Sequence, residues 1–125
     1  MQYHEFCRKV IETLPVGTVL PNPGGGDSTI VSYTGRKVAY QRGSSRFYVA
    51  FEDLYDAYDT FRGETLDSTT LRGFKPGIFD SKQSGHSCNC TFLFMVLKAI
   101  GVVNRIEGAG KRGNPFRVAI PKETC

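Results

Sequence analysis

Between Phe92 and Ile100 the only polar residue is Lys98, so a helix over this stretch has almost no face to offer water. A helix that is apolar nearly all round is buried, usually at the centre of a domain. Its start carries Ser87, Asn89 and Thr91 as capping residues, and Gly101 is placed to end it in the left-handed conformation. Upstream, Tyr3, Phe6, Cys7, Val10, Ile11 and Leu14 recur at helical spacing, with Arg8, Lys9 and Glu12 on the wet side and Pro15 as the stop. Val16 to Leu20 reads as a short extended piece, and the proline- and glycine-rich run Pro21 to Asp27 as a loop.

Period two then takes over. Residues 29–34, 37–42 and 46–51 are rich in Val, Ile, Tyr and Phe and predict three strands joined by hairpin turns at Thr34-Gly35-Arg36 and Gly43-Ser44-Ser45. Alternation places Val38, Tyr40, Phe47, Val49 and Phe51 on the buried face of an antiparallel meander. Leu54, Ala57, Tyr58 and Phe61 restore the helical period behind Glu52 and Asp53, where the helix dipole favours acid. Residues 68–73 predict a short helix capped by Asp67 or Ser68, and residues 75–87 a polar loop whose Ile78 and Phe79 plug the core. Beyond Gly101, Val102 to Ile106 and Phe116 to Ile120 predict a two-stranded ribbon around a Gly-Ala-Gly-Lys-Arg-Gly-Asn-Pro tip. The expectation is one α+β domain over residues 1–125: an N-terminal helix, an antiparallel meander of three to four strands, a buried central helix and a C-terminal β-ribbon.

Composition bounds the class. A chain of 125 residues with 40% hydrophobic and 12% aromatic content is long enough to bury a core and is not disordered by default. No apolar run approaches the roughly 20 residues of a membrane span, and Glu5, Arg8, Lys9 and Glu12 interrupt any signal-peptide core. Four cysteines, at 7, 88, 90 and 125, are not spaced as a disulfide framework, which points to a reduced, cytoplasmic protein. The formal charge of +4 permits a nucleic-acid partner.

Leu97-Lys-Ala-Ile-Gly-Val-Val-Asn-Arg-Ile106 followed by Gly110-Lys-Arg-Gly-Asn-Pro-Phe-Arg-Val-Ala-Ile120 resembles the last helix and β-ribbon wing of winged-helix nucleic-acid-binding domains. The resemblance covers about the last third of the chain. It implies a wing lying along the nucleic-acid backbone. Because the helix itself is apolar, the wing and flanking loops would make the contacts. The tip supports this independently. Lys111 and Arg112 supply charge, Asn114 can read a base edge or cap the turn, Arg105 and Arg117 flank it, and three glycines allow close backbone approach. A solvated hairpin is the plainer alternative. Arg36, Lys37, Arg42 and Arg46 form a second basic group beside Tyr33, Tyr40 and Tyr48, a mixture that suits single strands and backbones. The alternative there is that Tyr40 is core and the cations pair with Glu52, Asp53, Asp56 and Asp59.

At the mouth of the buried helix, Lys82, Ser84, His86 and Ser87 suit an anion pocket beside free helix N–H groups. The same run allows a metal site of His86, Cys88 and Cys90 with His4 or Cys7, though the spacing is not a zinc pattern. It also allows a nucleophilic cysteine, for which the base must be His86 or His4 because no histidine follows. Small buried cysteines in a capping loop are the commonest fate of such residues. Gly24-Gly-Gly26 precedes a strand, not a helix, which excludes an NTPase loop. No carboxylate–lysine pair follows a strand in nuclease fashion, and there is no serine-hydrolase elbow or H-E-x-x-H. The leading expectation is a non-enzymatic nucleic-acid binder, DNA ahead of RNA, without cofactor, metal or membrane, and with homo-oligomerisation left open. Second stands an interaction module with an exposed patch of Tyr48, Tyr55 and Tyr58, and third a small hydrolase using Cys88 or Cys90.

Overall fold

The computed structural model describes residues 1–123, so Cys125 lies outside the described residues. Helix α1, Tyr3–Thr13, turns Phe6 and Val10 inward and stops at Leu14, whose N–H still bonds the Val10 carbonyl, with Pro15 just beyond. Four strands follow: β1 Val19–Pro21, β2 Asp27–Thr34, β3 Lys37–Arg42 and β4 Ser45–Ala50. They lie side by side in chain order, each antiparallel to the next. The register sets Val38 opposite Val49 and Tyr40 opposite Phe47, so the expected apolar face forms as one surface. A register shift between Ile30 and Ser32 bends β2.

Phe51 is not a strand residue but the first residue of α2, Phe51–Thr60, which leaves β4 without a loop. Its Leu54, Ala57 and Tyr58 are buried, and Tyr58 stacks on Phe6 of α1 at 6.0 Å between ring centres. Next come β5 Thr65–Asp67, α3 Ser68–Phe74 and α4 Pro76–Phe79. The Asp67 carboxylate accepts the Thr70 N–H at 2.7 Å and caps α3 as expected. The presumed polar loop carries a turn of helix because Pro76 opens it at the position where a missing N–H costs nothing. Phe79 plugs the core completely while Ile78 stays half-buried.

The central helix is α5, Cys88–Ala99, buried from Phe92 to Leu97 without a break. Tyr40 of β3 stacks on its Phe92 at 3.9 Å and 5°, which fastens the sheet to the helix. Gly101 ends it at φ 84°, with the Gly101 N–H bonded to the Lys98 carbonyl and the Val102 N–H to the Leu97 carbonyl. This pair of bonds satisfies the last carbonyls and redirects the chain.

That redirection overturns the expected ribbon strand at Val102 to Ile106. Val102 and Val103 bury their side chains, and both of their N–H groups bond the Leu97 carbonyl. The C-terminal strand, β6 Arg117–Ala119, pairs instead with β5, Leu66 lying opposite Val118. Three residues are too short for β5 to show an alternation in the sequence, so its partnership was not legible there. What survives of the ribbon is an irregular hairpin, bridged at Glu107–Arg117 and at Lys111–Asn114. Among the described residues no helix is long and apolar enough to cross a membrane.

Candidate functional site

The hairpin is exposed along residues 107–114 but is closed on itself. Glu107 and Arg117 exchange backbone bonds of 2.9 and 2.8 Å, and the Asn114 N–H closes the tip on the Lys111 carbonyl at 2.8 Å. Gly108 has φ 98°, and a methyl there would overlap the Pro115 carbonyl; one at Gly110 would overlap the Phe116 ring. The two arms therefore meet at contact distance with Phe116 between Gly24 and Gly110. So folded, residues 107–117 run back beside α5 and deliver the tip to its first turn.

The result is a cleft of about 350 Å³ lined by Arg72 of α3, Lys111 and Arg112 of the tip, and by Ser68, Thr69, Ser87 and Thr91. The Arg72 guanidinium donates to the Thr69 hydroxyl at 3.3 Å. Among the described residues none of the three cations has a carboxylate partner. The acids nearby are engaged by backbone: Asp67 by Thr70 and Asp80 by the Lys82 N–H at 3.0 Å. Arg117 donates to the Asn114 side-chain oxygen at 2.9 Å, so these two residues brace the tip. Arg105 lies beyond Phe116, in a neighbouring cavity.

The expected anion pocket is only partly assembled. Lys82, Ser84 and His86 are exposed around the mouth, and Ser84 adopts a left-handed φ of 68°. The Asn89 and Cys90 N–H groups bond back to the His86 and Ser87 carbonyls at 3.0 and 3.1 Å, which removes them as anion donors. Ser87 shares a 2.6 Å hydrogen bond with Ser81 and is the one member of that group that lines the cleft. Asn89 does not cap the helix. It is buried, donates to the Ile78 carbonyl at 2.9 Å and accepts from the Tyr40 hydroxyl. Tyr40 is accordingly core and unavailable to a nucleic-acid base, and burial pushes its hydroxyl well above the usual range.

The cysteine chemistry fares worse. Cys90 is buried, its thiol turned to the Phe79 carbonyl at 3.6 Å. Desolvation raises its pKa to about 12 despite the opposing field of Arg72, whereas a nucleophile needs a lowered value. The Cys88 thiol lies 3.2 Å from the Tyr40 hydroxyl, whose one proton goes to Asn89, and His86 packs edge to face with Phe47 at 5.0 Å between ring centres. Neither thiol hydrogen-bonds His86 among the described residues. Among the described residues no three His, Cys, Asp or Glu side chains gather into a metal-binding group. One D-x-K triplet, Asp80-Ser81-Lys82, lies at the mouth rather than behind a strand, on a short 3-10 turn.

The meander cations divide. Arg36 and Lys37 sit at the β2–β3 turn and line a groove of about 370 Å³ with Tyr3, His4 and Tyr33. Arg42 and Arg46 flank the β3–β4 turn at the other end of the sheet, where Tyr40 and Phe47 meet the start of α5. The helical acids do not neutralise them. Asp53 and Asp56 bind Lys75 at 2.9 and 2.8 Å, and Asp59 binds Arg62 at 2.9 Å. The exposed tyrosine patch is not formed: Tyr58 is fully buried, Tyr55 is half-buried against Tyr3, and only Tyr48 is open. Sequence reading missed Arg72, Ser68, Thr69 and Thr91, because nothing in the spacing of α3 announces which tip it will face. No family model, no curated protein and no solved structure matches this chain.

Proposed function

We propose that the protein binds nucleic acid through its phosphates, without catalysing a reaction on it. The observation that carries this reading is the convergence of Arg72, Lys111 and Arg112, none paired with an acid among the described residues, on one cleft also lined by Ser68, Thr69, Ser87 and Thr91. Guanidinium and ammonium groups with hydroxyl donors are the usual partners of phosphate oxygens. Arg42 and Arg46, at the β3–β4 turn, and Lys82, in the loop before α5, lie toward the same end of α5. The apolar girth of α5 keeps the helix itself out of any groove.

The test is a salt-titrated mobility-shift assay of the full chain on mixed-sequence DNA and RNA. Three phosphate contacts predict an affinity that falls roughly 20- to 40-fold between about 50 and 200 mM salt, on every sequence. Binding that ignores salt, or no binding at about 50 mM, overturns the reading.

A further inference from the structure

Beyond Phe116 from the basic cleft lies a larger cavity of about 520 Å³, walled by Leu20, Met95, Ile106 and Phe116, with Lys98 and Arg105 as its only charged side chains. Its placement relative to the cleft is specific. Thr91 lines the cleft, Met95 and Lys98 line the cavity, and these positions, four and three residues apart, share one face of α5. The two spaces thus lie end to end along the helix, about 6 Å apart in rise. Phe116 borders both, its ring fixed between Gly24 and Gly110. Lys98, the one polar residue between Phe92 and Ile100, opens on this cavity.

We propose that the two cavities together hold one nucleotide of an unpaired strand, its phosphate in the basic cleft and its base in the apolar cavity against Phe116. The proposal rests on the nucleic-acid reading above and deepens it. A duplex presents phosphates and groove edges, and its stacked bases cannot enter a concave apolar space. A single strand splays its bases, which stack on aromatic side chains whatever their identity. The cavity falls within the range that encloses small organic groups. Lys98 and Arg105 supply donors for the acceptors each base offers, ring nitrogens in adenine, carbonyl oxygens in thymine and uracil, and both in guanine and cytosine. On charge alone the duplex, with its denser phosphates, would bind better. Preference for the single strand therefore reports the base pocket.

The experiment uses the full chain and three labelled oligonucleotides of equal length: a single strand, its duplex, and a strand whose bases are replaced by abasic residues. The ordinary single strand should bind at least about tenfold tighter than the abasic strand and tighter than the duplex. Phe116→Leu and Lys98→Gln, the latter at an exposed site, should each weaken the ordinary strand severalfold more than the abasic strand, so that the ratio of the two affinities falls. Thermal melts check that both variants fold. Equal affinity for ordinary and abasic strands overturns the base pocket while phosphate binding stands. Failure of all three to bind removes both readings together.

Discussion

The chain carries two basic groups of similar size, and the fold treats them in opposite ways. Lys111 and Arg112 share a short turn with no acid beside it, and tertiary packing sets Arg72 from a distant helix on the same cleft, with Ser68, Thr69, Ser87 and Thr91 also lining it. Arg36, Lys37, Arg42 and Arg46 look just as dense in sequence, yet β3 holds the first pair and the last pair at opposite ends of a six-residue strand. At roughly 3.3 Å per residue the two ends stand more than 15 Å apart. The screening length at physiological salt is about 8 Å, so the pairs act as separate small charges. Convergence, not the number of positive residues, separates a site from a wet surface.

Replacing Lys111 and Arg112 together by Ala is the strongest way to break the comparison. Nucleic-acid affinity should fall on the order of 10²-fold at low salt, with the slope of log affinity against log salt reduced by about two contacts' worth. The matching Arg36→Ala/Lys37→Ala pair should cost less than about threefold. Equal losses in the two double variants would erase the distinction drawn here.

Backbone geometry gives a smaller contrast. Gly108→Ala meets both a left-handed φ and the Pro115 carbonyl, and should cost about 2 kcal/mol in urea unfolding. Gly35→Ala, in the open β2–β3 turn at φ 58° with nothing within 4 Å, should cost only about 1 kcal/mol. If Gly108→Ala were as mild, the two arms of the hairpin would not meet at Gly108 and Pro115.

The smallest effect at neutral pH belongs to the buried side of the α5 start. Folding holds the Cys90 thiol neutral, with a pKa of about 12 against an ordinary value of 9.0, and burial acts on Tyr40 in the same direction. The unfolded chain therefore releases these protons first. Their contribution to stability is complete below about pH 9 and is lost as the pH rises toward 12. Urea melts should be insensitive to these groups from neutrality to about pH 9 and weaken above it. Constant stability up to about pH 11 would contradict the buried, protonated state of this pair.

Much of the fold was legible residue by residue. The period of α1, the alternation of β3 and β4, the Asp67 cap, the Gly101 stop and the dry helix α5 are local statements. Each depends on how a few neighbouring side chains divide between water and core. Tyr48, Tyr55 and Tyr58 show the limit. Their spacing is compatible with an exposed patch, yet Phe6 and Tyr3 of α1 cover two of the three. Asn89 shows it again, as a plausible cap that the Tyr40 hydroxyl and the Ile78 carbonyl draw into the core.

By itself, then, the sequence determined α1, the β2–β4 meander, α2 and the short α3, that α5 lies at the centre, and that a basic glycine-rich tip follows it. Tertiary structure alone decided that β6 leaves that tip to pair with β5, some fifty residues earlier, and that the tip folds back to meet Arg72 at the start of α5. The reason is physical. Hydrophobic periodicity records whether a position is buried, while a cleft records which surfaces meet, and that depends on packing between segments whose separation along the chain leaves no local pattern.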